Sequence, residues 1–320
     1  MARQVDVPDP VRQTAKAGGP ACAQWLDDLP DLITELEREW DITVGATMTG
    51  GTACLVAEAT RADGSPAVVK LAMPYERDGR KALELEVRVL RLVDGRGCVR
   101  LLDDDTARGA ALLERLGRQV HELDLPIPEQ MRIICAVLPE IWAIRVDDVE
   151  LPSLADKGPW LAASAVEMWE ALDRPCSARV IDRAVEYAER RVAALDPERA
   201  VLLHGDAHAW NTLEAPTAAD PHAFRLIDID GLVGEREYDL AIPMREYAEE
   251  LLAGDALALG QARARFLADL TGLDPQRVWE WGYIERVTTG LLCLREGHDE
   301  WGRDFMAVAE AWSHAPGGRA

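Results

Sequence analysis

No stretch of this chain approaches the roughly 20 uninterrupted apolar residues that an α-helix needs to cross a bilayer, and its opening, MARQVDVPDPVRQTAKAGG, lacks the apolar segment of a secretory leader. No membrane partner is indicated, and the expected location is cytoplasmic. The six cysteines, Cys22, Cys54, Cys98, Cys135, Cys176 and Cys293, form no CxxC pair and have no His-rich partner segment. That spacing argues against a zinc site and against a disulfide scaffold; the thiols are expected to be reduced and mostly buried. Positive charge is also scarce. Lys and Arg number 35 against 57 Asp and Glu, a formal net charge of −22, which disfavours a nucleic-acid partner because such a groove needs a positive field. Cationic small molecules would be attracted, although most surface acids serve only to keep a protein solvated. Fixed-period repeats and low-complexity tracts are absent as well.

What is present reads as two lobes, since 320 residues exceed one core of ordinary size and fall short of three. Apolar residues at helical spacing from Trp25 to Trp40 predict an N-terminal helical cap. From Ile42, two β-branched runs around Gly50 and Gly51, the Asp63–Gly64 turn and a third apolar run predict a three-stranded antiparallel meander. Tyr75 to Val93 has an amphipathic helical pattern ended by Gly95 and Gly97. Two further strands are expected at CVRLL and GAALLERL, parted by a turn at Asp103 to Asp105. The expected fold is α+β, with a five-stranded lobe and one main helix over residues 1–116 and a mainly helical lobe over 117–320. In the second lobe, helices are predicted at Pro128–Ile144, Pro159–Leu172, Ala178–Leu195, Tyr238–Ala253, Ala256–Leu270, Pro275–Leu294 and Asp304–Trp312. Short β segments VLLH and AFRLIDID interrupt them.

HGDAHAWN places His204, Asp206 and Asn211 in a loop directly after a short apolar strand, and IDID follows with Asp228 and Asp230. Phosphoryl transfer asks little covalent chemistry of a protein: a base for the hydroxyl, oxygen ligands for Mg²⁺ and a cation on the nucleotide phosphates. An Asp, an Asn five positions later and a second Asp at a strand end have the spacing of a kinase catalytic loop and metal-binding Asp. The upstream half supplies the rest: Lys70 in AVVKLA follows the Gly50–Gly51 turn, and the next helix offers Glu84 and Glu86 as acidic partners. The turn TGGT is shorter than the glycine-rich loop of protein kinases and could equally be a hairpin turn.

The run EVRVLRLVDGRGCVRLLDDDTARGAALLERL, Glu86 to Leu116, resembles the streptomycin 6-kinase and hydroxyurea phosphotransferase branch of the aminoglycoside phosphotransferases, and a looser likeness extends from VDVP at Val5 to the C-terminal helices. The resemblance implies a two-lobed protein-kinase-like fold. In it Lys70 contacts nucleotide phosphates, Glu86 holds Lys70, and backbone atoms of Glu114, Arg115 and Leu116 form a hinge that receives the purine. Asp206 would be the catalytic base, with Asn211 and Asp228 as Mg²⁺ ligands. The hinge offers no purine-specific side chain, so ATP and GTP are both open as donors. Asp230, Glu285, Glu296 and Asp299 are candidate acceptor contacts, and Asp239 in REYDLA is expected to support the catalytic loop.

The expected reaction adds about two negative charges to a hydroxyl of an antibiotic, with a streptomycin-like aminocyclitol favoured and hydroxyurea or a metabolic sugar or amino alcohol as alternatives. Two rival classes are a nonenzymatic nucleotide-binding protein and a metallohydrolase built on His204, His208, Asp206 and Asp228. A hydrolase gives no reason for Lys70 and Glu86. His204 is expected to be structural, and Trp210, Trp281 and Trp301 are expected in helix cores rather than around a ligand.

Overall fold

The computed structural model describes residues 5–49, 51, 53–74, 80–146 and 149–315. Along the chain run α1 (Asp9–Ala17), α2 (Pro20–Trp40), β1 (Ile42–Thr47), β2 (Cys54–Arg61), β3 (Pro66–Ala72), α3 (Arg80–Val93), β4 (Leu101–Asp105) and β5 (Ala110–Glu114). Next come α4 (Ile127–Trp142), α5 (Leu154–Ala171), α6 (Ala178–Ala193), β6 (Val201–Leu203), β7 (Thr212–Glu214), β8 (Phe224–Leu226) and β9 (Leu232–Gly234). The chain continues through α7 (Ala241–Arg245), α8 (Ala248–Leu252), α9 (Ala256–Thr271), α10 (Pro275–Arg295) and α11 (Asp299–Trp312). Two compact units emerge, residues 1–117 with 214–230, and residues 118–213 with 231–320. The segment 214–230, which a single cut after residue 116 would assign to the second lobe, groups with the first unit.

In the first unit an antiparallel sheet has the order β1-β2-β3-β5-β4. Strand alternation sorts its residues. Leu55, Ala57, Ala59, Ala67, Val69, Leu71, Ala110 and Leu112 join one buried cluster with Val11, Cys22, Trp25, Leu29, Ile33 and Leu36 of α1 and α2. The three-and-four spacing along α2 is what lays these side chains in one stripe against the sheet. Lys70, paired in register with Val56 and Ala111, therefore projects from the opposite face. Arg108 fastens α2 to the β4–β5 turn through Glu35 (3.2 Å), Glu39 and Asp105 (2.7 Å).

One strand departs from expectation. Asp103, Asp104 and Asp105 do not form a turn; they lie in β4, opposite Leu112, Ala111 and Ala110, and the turn falls at Thr106 to Gly109. β4 is the edge of the sheet, where charged side chains reach water and discourage pairing with another chain. The helix predicted from Tyr75 begins at Arg80 among the described residues, and Tyr75 to Gly79 lie outside them.

The second unit is built around α10, which starts after Asp274, whose side chain accepts from the Gln276 N–H, and is buried on nearly every side from Val278 to Leu291. A helix buried on every side belongs in the middle of a bundle; α10 packs on α5, α6, α7, α9 and α11, and it carries Glu280, Glu285 and Arg286 into that interior. The helix expected over Tyr238–Ala253 is broken in two. Glu246 is extended and Tyr247 adopts a left-handed φ of 59°, so α7 stops at Arg245 and α8 restarts at Ala248. Neither β7 nor β9 was foreseen, and each is only three residues long. Among the described residues no helix is long and apolar enough to cross a membrane. All six cysteines are free; Cys22, Cys98 and Cys135 are buried, and the other three are half-buried.

Candidate active site

In the first unit the ammonium of Lys70 lies 2.6 Å from Glu86 Oε2 and 2.6 Å from Asp228 Oδ1. Glu86 comes from the buried stripe of α3, whereas Glu84 is exposed, so the helix face decides between the two candidates. Burial opposes the charge on Lys70, but Asp228 and Glu86 outweigh it and hold the amine protonated. Glu86 Oε1 is buried with no hydrogen-bond partner among the described residues. Asp228 adopts a left-handed φ of 58°, a conformation that Asp tolerates better than most residues, and its side chain is half exposed. Asp230 is exposed, and its charge reaches Glu86.

Of the residues expected at the hinge, Glu114 ends β5, and its carboxylate accepts from the Arg100 N–H (2.8 Å) and from Arg225. Arg115 donates to Glu58 at 3.3 Å. Leu116 follows directly. Gly51 has a φ of 81°, the left-handed turn that glycine adopts without strain; Gly50 lies outside the described residues.

The second unit carries the loop after β6. Gly205 has a φ of 90°, which explains glycine between His204 and Asp206 where a side chain would be strained. The buried Asp239 carboxylate accepts from the backbone N–H of His204 (3.1 Å) and Gly205 (2.8 Å) and from Trp142 Nε1 (2.8 Å). Burial pushes its carboxyl upward while these donors oppose that shift. Asp239 thus braces the loop from behind, as expected. His204 is fully buried, and its Nδ1 accepts from the Asp206 N–H at 3.2 Å. His208 Nδ1 accepts from the Trp210 N–H (3.2 Å), which leaves its Nε2 as the donor to Asp206 Oδ2, 3.2 Å away. Asn211 Nδ2 donates to the Asp206 carbonyl (3.1 Å) and to Oδ2 (3.2 Å). Both histidines are therefore committed to the loop's own geometry.

Arg245, which the sequence did not single out, completes this cluster. Its Nη2 sits 2.5 Å from Asp206 Oδ1, its Nη1 3.3 Å from Glu285 Oε2 and its Nε 3.1 Å from Glu246 Oε1. Burial alone would raise the Asp206 carboxyl; the Arg245 guanidinium and the His208 hydrogen bond outweigh it and hold the carboxyl well below the usual range.

The acceptor candidates are dispersed. Glu285 is buried, with one oxygen taken by the Tyr238 hydroxyl and the other facing Arg245. Glu296 caps the end of α10 and Asp299 opens α11; both are exposed and pair with Arg295 and Arg303 at 3.8 Å. Trp281 is in the core as expected, donating to Glu235 at 2.6 Å. Trp210 and Trp301 are not in the core: they are 55% and 66% exposed, and Trp210 stacks on His121.

A lysine held by a helix glutamate on a five-stranded sheet, with an Asp and Asn on one loop of a helical unit, has the make-up of a kinase of protein-kinase-like fold. The model of the aminoglycoside/hydroxyurea antibiotic resistance kinases matches residues 39–297, and the chain belongs to that family. It is 30% identical over 313 residues to a hydroxyurea phosphotransferase of Kitasatospora aureofaciens, covering 96% of this chain and 85% of that protein. It is 26% identical over 299 residues to a streptomycin 6-kinase of Streptomyces glaucescens, covering 92% and 93%. Among solved structures, an aminoglycoside phosphotransferase of Streptomyces rimosus in complex with ADP and streptomycin shares the fold, with a TM-score of 0.52 at 18% identity, covering 82% of this chain and 98% of that one. Family membership implies a nucleotide as phosphoryl donor and, as is typical of such kinases, a divalent metal.

Proposed function

We propose that this chain transfers the γ-phosphoryl group of ATP or GTP to a hydroxyl of a small-molecule antibiotic, with a streptomycin-like aminocyclitol as the favoured acceptor, and so confers resistance or self-protection. The observation that carries the reading is the Asp206 carboxylate held ionised on the loop that also supplies Asn211. Asp206 accepts the hydrogen of the acceptor hydroxyl and orients its oxygen for in-line attack. Lys70, held by Glu86, neutralises donor phosphate oxygens, and the backbone at Glu114, Arg115 and Leu116 receives the purine. Asn211 spends its Nδ2 on Asp206, which leaves its Oδ1 as an oxygen donor. The half-exposed Asp228 carboxylate is likewise a hard oxygen of the kind Mg²⁺ takes. When bound, that ion would neutralise charge on the transferring phosphate. Hydroxyurea is the second acceptor, favoured by the relative at 30% identity.

The deciding experiment is turnover of labelled ATP and GTP with a panel of streptomycin, other aminoglycosides and hydroxyurea. Phosphorylation of at least one antibiotic is expected. Asp206→Asn should keep nucleotide affinity and the circular-dichroism spectrum while turnover falls about 10²-fold or more. A panel left entirely unphosphorylated by a protein that binds nucleotide would overturn the antibiotic reading, and near-normal turnover in Asp206→Asn would remove Asp206 from its role.

A further inference from the structure

Asp206 is joined to the bundle by a chain of buried contacts that phosphoryl transfer as described does not use. Arg245 stands at the last residue of α7, where the backbone turns extended at Glu246 and left-handed at Tyr247. The carbonyls on either side of Arg245 are both taken by arginines. Arg286 Nη2 donates to Met244 O (2.9 Å) and Glu246 O (3.3 Å), and Arg263 Nη1 donates to Glu246 O at 2.6 Å. Arg286 is entirely buried, with its ring contacts to Trp312 (4.6 Å) and Phe305 (5.1 Å), and its Nε and Nη1 have no hydrogen-bond partner among the described residues. Burying a cation that meets carbonyls and rings instead of a carboxylate is costly. What the fold obtains in return is a fixed break between α7 and α8.

The side chain at that break is as constrained as its backbone. Arg245 is 14% exposed and fans its guanidinium across Asp206, Glu246 and Glu285, while Tyr238 holds the far oxygen of Glu285. A planar fork shared among three carboxylates fixes direction as well as distance. We infer that Arg245 is a positioning residue for the phosphoryl transfer: it pins Oδ1 of Asp206 against Glu285, which turns Oδ2, the oxygen that meets Asn211 and His208, toward the incoming hydroxyl. The inference rests on Asp206 being the residue that orients that hydroxyl. Arg263 and Arg286 act one step further back, through the carbonyls that set where α7 ends.

The test is steady-state kinetics of wild type, Arg245→Met, Arg245→Lys, Asp206→Asn and the Arg245→Met/Asp206→Asn double variant. Mg·ATP is the donor, and streptomycin or hydroxyurea, whichever is turned over, is the acceptor; basal ATP hydrolysis serves as the readout if neither is. Arg245→Met should lower kcat about 10²-fold, the scale of a misplaced reacting group, with the nucleotide KM within about twofold. Lys keeps the charge without the fork, so Arg245→Lys should recover about tenfold over Met yet stay about tenfold below wild type. The double variant should match Asp206→Asn within about twofold, because one residue acts through the other. Wild-type kcat in Arg245→Met, or losses that multiply fully in the double variant, overturns the role of Arg245 while leaving Asp206 in place. Wild-type kcat in Asp206→Asn overturns the underlying reading instead. If circular dichroism shows that Arg245→Met does not fold, Arg245→Lys decides alone: a tenfold loss at unchanged nucleotide KM supports the inference, and wild-type kcat overturns it.

Discussion

Two carboxylates claim Lys70 at once, and their contributions are separable because they come from different places. Glu86 is on α3, in the buried stripe, while Asp228 is half exposed on the segment that follows β8. Lys70→Ala and Glu86→Ala should each slow turnover, and the double variant should fall well short of the product of the two losses, since both disrupt one contact. Glu84→Ala, on the exposed face, should change kcat by less than about twofold. Equal losses at the two glutamates would contradict the geometry. The thiols give a second measurement at this scale. Burial pushes Cys135 up to about 12 and Cys176 up to about 11, so both are neutral at pH 8, and the neutral thiol is the unreactive form. Native protein at pH 8 should leave Cys135 and Cys176 unalkylated by iodoacetamide over the time in which urea-unfolded protein labels fully; mass spectrometry reads the difference.

Elements that rest on local periodicity were legible, and those that rest on distant partners were not. The stripe of α2, the three-stranded meander and the long helices α4, α5, α6, α9 and α10 announce themselves in spacing. β7 and β9 are three residues each, too short for alternation to register, and β4 owes its acidic strand to an edge position that only the completed sheet defines. The break at Tyr247 is similarly invisible, because the groups that fix it are Arg263 and Arg286 on later helices. Lys70, Asp206, Asn211 and Asp228 stand out as candidates in the sequence because phosphoryl transfer calls for their residue types and a kinase catalytic loop for their spacing. Arg245 carries no such motif: its meaning lies in contacts spanning 39 and 40 positions, to Asp206 and Glu285. The packing of α10 on α7 offers a direct test of that layer. A Cβ at Gly282 would come within 2.5 Å of Met244 Cβ, an overlap at the root of a side chain that rotation cannot relieve. Gly282→Ala should therefore destabilise the protein by about 1–3 kcal/mol and, through the displaced Arg245, reduce kcat more than it changes the nucleotide KM. Thermal unfolding together with steady-state kinetics would check both; an unchanged melting temperature would mean that the helices can part without strain.

For the molecule as a whole, the net charge of −22 bears on which acceptors are captured. Exposed charges act over about 8 Å at physiological ionic strength, so attraction of a polycationic antibiotic should weaken as salt is added, whereas a neutral acceptor should be nearly indifferent. The KM for streptomycin is expected to rise clearly between low and high salt while that for hydroxyurea stays flat, with the nucleotide KM as a partial control. Efficient turnover of hydroxyurea with the cationic antibiotics inert would remove the cationic preference and leave the kinase chemistry untouched.

The first unit is assembled from two separated pieces of chain, residues 1–117 and 214–230, and this has a consequence for biosynthesis. Cys98 bridges to Leu226, the Gly117 N–H donates to Glu214 O at 2.7 Å, and Lys70 meets Asp228, so each of these pairings waits for chain not yet made when residue 117 leaves the ribosome. At the roughly 5–20 residues per second of translation, that wait is on the order of ten seconds. During it the five strands of the sheet are all present, but the 214–230 segment that groups with them is not, and Lys70 lacks its Asp228 partner. Stalled nascent chains should accordingly be cleaved readily by protease when truncated shortly after residue 117, and become resistant over the same region only once residue 230 has cleared the exit tunnel.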